Sequence, residues 1–510
     1  MGTRPTARTN PTLYYYSQRY RRHYGIETLK THTDLIRQYL PNAGIGANYS
    51  PHHGHFYLGE AHKWVSVFRR DAMTMPWSED YAWLVPVGTQ QMSLINLDLF
   101  RAGLKHKPAG KIHYYVMPHW PGNTPRMWRR LFYGALAHGM KVVNLFEVEP
   151  MQAAPTENYV SLPQTYAAIR RALYELGTFE DIVQDGRVRP GAAALWFGET
   201  GDIWVDQHAP FAAAKRALYI AIRHQQLPLD IVVEADAAAG DLDAYRILYL
   251  TDLHVSRAAS QAIADWVEQG GRVFATAGAG MWDEYNQPNP IMRRLFGIEA
   301  YEIQKSGRQN ITFVKQGLPF LEPLDRVTWR AFSTHRHVPV FGVRSRLRVS
   351  TAEVLGEFED GSPAITLHRV GKGQAMSCGF LPGLSYFKPA IPLRPLDRVA
   401  NDGAMAHWLP TTFDLNAHRL IGWLATDIPR PVMSHAPLVE TTIIEADQGT
   451  VIPVVNWRSR PISPLAVTVA GDMSGRKAEL ASGQPVEVTQ GDGKTTYRFD
   501  LDIADALIIR

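Results

Sequence analysis

The stretch "GMKVVNLFEVEP" (139–150) runs apolar residues into two glutamates, Glu147 and Glu149, and then a proline. Two residues apart on an extended strand, both carboxylates point to the same side. There they can share a proton, bind a cation, or divide the roles of acid and base. A second acidic pair, Glu79 and Asp80, lies among Trp77, Tyr81 and Trp83. Aromatic faces beside polar groups suit a sugar ring, and the plainer reading is a packed loop with solvated acids. In "KIHYYVMPHW" (111–120), His119, with Trp120 beside it, is of a type that can transfer a proton near neutral pH, but a structural role or a hydrogen bond to a substrate hydroxyl is the plainer expectation. "PHHGHFYLGEAH" (51–62) carries His52, His53, His55, Glu60 and His62. Imidazoles with a carboxylate can hold zinc, but this spacing matches no zinc template, so no metal and no other cofactor is expected.

Something must position these groups. Residues 1–185 alternate strands and helices. "TLKTHTDLIRQYL" (28–40) has Leu29, Leu35, Ile36 and Leu40 on one side of a helix. "AGIGANYS" (43–50) is a short strand, and "DAMTMPWSEDYAW" (71–83) a strand and an acidic, aromatic loop. "TQQMSLINLDLFRAGL" (89–104) is a helix and 111–120 a strand. "RMWRRLFYGALAHG" (126–139) spaces its apolar residues for a helix closed by Gly139. "KVVNLF" (141–146) is a strand and "LPQTYAAIRRALYELG" (162–177) a helix. Strand–helix units in succession predict a parallel sheet with crossover helices. A (β/α)8 barrel needs eight units in about 250 residues, and this segment supplies half of them.

Residues 186–428 read as a second α/β domain, turning to β from about 310 to 385. Ser256 is placed to cap a helix whose stripe is Ala259, Ala262, Ile263, Trp266 and Val267. Residues 429–510 consist of short alternating strands separated by Gly, Asp and Ser, the pattern of a small β-sandwich.

Composition bounds the function. The 510 residues exceed one ordinary core. Apolar content of 45% and charged content of 20% are those of a soluble globular protein. There is no apolar run of about 18 residues to span a membrane. The first residues lack the pattern of a signal peptide, so a cytoplasmic protein is expected. A net charge of +4, with scattered basic residues, gives no nucleic-acid footprint. The lone Cys378 excludes an internal disulfide. It lies in a β stretch, far from any strand–helix turn that would make it an amidotransferase nucleophile, and reads as core. "GAG" at 278–280 is no dinucleotide fingerprint.

In order, the three segments resemble the family 42 glycoside hydrolases, the β-galactosidases, with a barrel, an α/β trimerisation domain related to class I glutamine amidotransferases, and a small β domain. "PTLYYYSQRYRRHYGIETLKTHTDLIRQYLPNAGIGANYS" resembles that family's fourth barrel helix leading to its fifth strand, whose Asn-aromatic end is here Asn48-Tyr49. "KIHYYVMPHWPGNTP" resembles the seventh strand, and "LFYGALAHGMKVVNLFEV" the helix and eighth strand after it. "IADWVEQGGRVFATAGAGMWDE" is similar to the trimerisation domain, and "DIADALIIR" to the closing strand of the β domain.

The resemblance implies a partial barrel over 1–185, an amidotransferase-like α/β domain over 186–428 and a β-sandwich over 429–510. It implies a carbohydrate substrate, a site containing Asn48, Tyr49, Trp77, His119 and Trp120, and a homotrimer formed through the α/β domain. Two departures limit it. Strands one to four have no counterpart, so the family's acid/base Glu would fall before Met1. The family's Met-Glu nucleophile position reads Met117-Pro118-His119. The expectation is therefore a glycosidase-like chain completed by a missing N-terminal half-barrel, with Glu147, Glu149 or Glu79 as candidate catalytic carboxylate. The alternative is a non-catalytic carbohydrate-binding or assembly protein.

Overall fold

The computed structural model describes residues 6–49, 61–79, 90–107, 110–118, 124–145, 163–204, 210–305, 322–331, 334–390, 409–473 and 475–510. In the first segment, β1 (Trp77–Glu79), β2 (Ile112–Tyr115) and β3 (Met140–Asn144) form a parallel sheet in that order. Residues 45–49 run beside β1, joined by a parallel bridge from Asn48 to Trp77. Trp77 N donates to Ala47 O (3.2 Å) and Tyr49 N to Trp77 O (2.7 Å). Gly46 permits this approach, since a Cβ there would lie 1.9 Å from Met75 O.

The connections are helical, as parallel strands require. Helix Pro125–Ala137 starts where Thr124 accepts from Met127 N, with Pro125 in its first turn. It ends at Gly139, whose φ of +91° suits glycine. Most of this helix is buried, because it is covered on both sides. Trp128 Nε1 donates to Val116 O on the sheet side. Arg129 and Arg130 donate to Ala504 O and Asn456 O of the C-terminal β region.

The first helix departs from the sequence reading. It spans Pro11–Tyr39, with Asn10 accepting from Leu13 N at its start. The supposed apolar side is largely exposed: Leu35, Ile36 and Leu40 face outward with Tyr16, Tyr20 and Tyr24. The buried residues are Tyr15, Arg22, Ile26 and Thr33. Tyrosines and arginines with long apolar stems can cover a core as well as leucine does, and this hid the true inner face.

The middle region is built on a nine-stranded mixed sheet. Strands Leu229–Val232, Ala193–Trp196, Ile247–Leu250, Arg272–Ala275 and Gly373–Cys378 are parallel neighbours. An antiparallel extension follows through Pro363–Val370, Glu353–Phe358, Asp325–Ala331 and Thr334–Val340. Alternate residues serve opposite faces, with Ile247 and Tyr249 in one cluster and Leu248 and Leu250 in the other. Helix Arg257–Glu268 covers the second face with Ala259, Ile263, Trp266 and Val267, and Ser256 caps it. Cys378 is fully buried in its strand, and burial pushes its thiol up, which suits a core residue.

The last region has two antiparallel sheets enclosing Ile452, Val454, Val467, Tyr497, Phe499 and Leu507. The short strand Arg187–Val188 joins one of them by pairing with Ile444–Ala446. A buried ionic cluster ties the three regions together. His138 bonds Asp98 Oδ1 (2.7 Å) and Glu440 Oε1 (2.9 Å), and Arg223 Nη2 donates to the same Glu440 oxygen (2.6 Å). Tyr219 and Trp457 donate to Asp98 Oδ2 and Glu440 Oε2. Such a cluster specifies how the regions meet more than it stabilises them, because desolvating the charges offsets much of their attraction. No helix among the described residues is long and apolar enough to cross a membrane.

Candidate functional site

The strand period of two sorts β1 and β2 by face. Trp77 and Glu79 share a face, as do His113 and Tyr115, and the register opposes Trp77 to His113 and Glu79 to Tyr115. The four side chains therefore line one side of the sheet. The rings of Trp77 and His113 lie 5.7 Å apart, those of Trp77 and Tyr115 6.1 Å, and those of His113 and Tyr115 5.2 Å. Glu79 closes this aromatic platform at its C-terminal end. It is buried, and Asn48 Nδ2 donates to its Oε2 at 2.9 Å. The amide orients the carboxylate.

His113 is the residue that sequence reasoning missed. It is 7% exposed, and neither ring nitrogen has a hydrogen-bond partner among the described residues. Burial lowers its pKa and keeps the imidazole neutral, with one donor and one acceptor. A buried polar group without partners is costly unless something else satisfies it. The available signal was the i, i+2 spacing of His113 and Tyr115 in an aromatic strand.

Among the expected site residues, the structure brings together Asn48, Trp77 and Glu79. Tyr49, one position on, turns the other way and packs edge-on against Trp64 (5.4 Å) and Phe100 (5.7 Å) of the helical layer. Glu147, Glu149, His119, Trp120 and Asp80 lie outside the described residues, as do His52, His53, His55 and Glu60. Two other groups have metal-ligating side chains with donor atoms within 4.8 Å of one another: His23, His62 and Glu199, and His106, Asp236 and Asp241.

The arrangement can stack a pyranose ring on Trp77, hydrogen-bond its hydroxyls through His113 and Asn48, and present one carboxylate, Glu79. Sugar hydrolysis by the two-carboxylate route needs a second acid about 5–9.5 Å away.

Comparison with known proteins agrees with this architecture. Residues 196–389 match the family model of the β-galactosidase trimerisation domain. No curated protein matches the sequence. Among solved structures, the chain is similar to the β-galactosidase of Bacillus circulans sp. alkalophilus, with a TM-score of 0.67 at 16% identity, over 96% of this chain and 67% of that one. It is similar to the family 42 β-galactosidase of G. stearothermophilus, with a TM-score of 0.61 at 14% identity over 93% and 64%. It is also similar to α-L-fucosidase isoenzyme 2 of Paenibacillus thiaminolyticus, with a TM-score of 0.56 at 13% identity over 89% and 67%. The chain thus spans about two thirds of the length of these structures. Residues 196–389 thus match the β-galactosidase trimerisation domain, and the chain shares the fold of the family 42 β-galactosidases.

Proposed function

We propose that the chain is a glycoside hydrolase-like protein whose sugar site lies at the C-terminal ends of β1 and β2, with Glu79 as a functional carboxylate. The observation that carries this reading is the hydrogen bond from Asn48 to buried Glu79 beside the Trp77–His113–Tyr115 platform. Carboxylates at the C-terminal ends of parallel strands are where barrel enzymes do their chemistry. On this reading, residues 1–185 are the second half of a (β/α)8 barrel, 186–428 a trimerisation domain and 429–510 a β-sandwich. Glu147 or Glu149 supplies a further carboxylate, and the first half-barrel supplies the remaining wall. The substrate is a β-linked carbohydrate of the β-galactoside class, and the protein is a homotrimer.

In the reaction, one carboxyl group protonates the leaving oxygen, and a carboxylate attacks the anomeric carbon or activates water against it. Asn48 holds Glu79 in register, and His113 orients a ring hydroxyl. The test is hydrolysis of a nitrophenyl β-D-galactoside, by the chain alone and together with the product of the adjacent upstream reading frame. Hydrolysis that is lost in Glu79→Gln supports the proposal. Galactose binding without turnover in either preparation supports the alternative, a carbohydrate-binding protein. Turnover unaffected by Glu79→Gln removes Glu79 from the reaction.

A further inference from the structure

A second site lies where the first helix meets the α/β region. His23 is on helix Pro11–Tyr39, His62 on helix Ala61–Arg69, and Glu199 opens helix Glu199–Trp204. Three separate elements therefore converge their ligating atoms within 4.8 Å of one another. His23 Nε2 lies 3.0 Å from Glu199 Oε1, and the His23 and His62 rings are 4.4 Å apart. Arg19 Nε takes the other oxygen, Oε2, at 3.2 Å, which fixes the carboxylate with Oε1 toward the imidazoles. Ser66 Oγ sits 3.1 and 3.2 Å from the two nitrogens of His62, a shared approach that commits neither to a strong bond. The three residues edge a cavity of about 360 Å³ that also contains Glu234 and Tyr15.

We propose that His23, His62 and Glu199 form a binding site for a divalent transition metal of the zinc class. Two imidazoles and one carboxylate are a borderline-soft set suited to zinc, and they leave a fourth position open toward the cavity. Zinc bonds of about 2.0–2.1 Å put tetrahedral ligand atoms about 3.3 Å apart. The His23–Glu199 pair is already near that spacing at 3.0 Å, and the ligating nitrogen of His62 lies within 4.8 Å of both. Glu199 is 11% exposed and His23 45%, so the ion has a route in from solvent. The second histidine–carboxylate group is poorer, because Lys105 takes the same Asp241 oxygen, Oδ2, that faces His106, whereas Arg19 takes the Glu199 oxygen that faces away from His23. Bound metal would clamp the first helix to the α/β region, so loading also adds to stability.

The test is titration of the chelator-treated chain with Zn²⁺ alone by calorimetry, together with the thermal midpoint and the visible spectrum with Co²⁺. One ion per chain is expected, with a raised midpoint and the intense absorption of four-coordinate Co²⁺. His23→Gln, His62→Gln and Glu199→Gln should each lower affinity by at least about 100-fold, the upper end of what losing even an outer-shell partner costs. His106→Gln should leave it unchanged. The metal-free midpoints of the three variants report whether they fold. Absence of Zn²⁺ binding by the unmodified chain, or binding that survives all three substitutions, overturns the proposal.

Discussion

Asn48 and Glu79 come from neighbouring parallel segments, and the amide of one donates to the carboxylate of the other at 2.9 Å. The bond exists because the bridge between Asn48 and Trp77 sets the register, so that Asn48 reaches past Trp77 to the next residue on its face. Asn48→Ala removes a donor from a buried carboxylate. We expect a loss of about 1–3 kcal/mol in urea unfolding, together with weaker sugar binding. An unchanged midpoint would show that the bond does not bear on the fold.

His113 allows function to be separated from stability. Replacing a buried imidazole that has no partner among the described residues by phenylalanine keeps the ring packing with Trp77 and Tyr115. His113→Phe should leave stability unchanged or raise it by about 1 kcal/mol, while weakening sugar binding. A variant that binds sugar as well as the parent would make His113 a packing residue.

Gly46 sets the approach of the 45–49 segment to β1. Because a Cβ would collide with Met75 O, Gly46→Ala must push the two backbones apart. The expected cost is about 1–3 kcal/mol, as for other overpacked sites. Disturbed Asn48 and Glu79 side-chain resonances in NMR spectra should accompany it. A neutral effect would mean that this segment is free to shift.

The ionic cluster predicts an acid transition. Burial pushes the Asp98 carboxyl up, but Arg101 and His138 outweigh it and hold it at about 2. Glu440 is also held well below its usual range, because Arg223 and His138 outweigh its burial. An unfolded aspartate titrates near 3.9, so the folded pKa is the lower one. The stabilisation is then fully present above about pH 4 and is lost as the pH falls toward 2. Urea midpoints should drop steeply across that window. Asp98→Asn should flatten the drop and cost about 3–5 kcal/mol at pH 6, since it leaves buried cations short of a partner. An equally steep drop in Asp98→Asn would place the transition elsewhere.

Much of this architecture could be read from pattern. Ser256, the stripe Ala259–Ile263–Trp266–Val267 and the glycine closing helix Pro125–Ala137 obey local rules that packing did not override. The inner face of the first helix could not be read, because Tyr15 and Arg22 fill it while Leu35 and Leu40 face out. Within the candidate site, Trp77 and Glu79 stood out by composition, and Asn48 through family resemblance. His113 did not stand out, since its significance rests on which strand lies beside which, and that is a property of register. Tyr49 lies apart from Asn48 for a related reason: adjacent strand residues face opposite ways, and Tyr49 packs against Trp64 and Phe100.

The central claim is that Glu79, beside Trp77, belongs to a sugar site. The most direct measurement is calorimetric titration of galactose into the unmodified chain, Glu79→Gln and Trp77→Ala. The account predicts binding by the unmodified chain, weakened by at least about 10-fold in each variant through loss of a charge-assisted bond or a stacking face. No binding by the unmodified chain, or equal affinity in all three proteins, would contradict it.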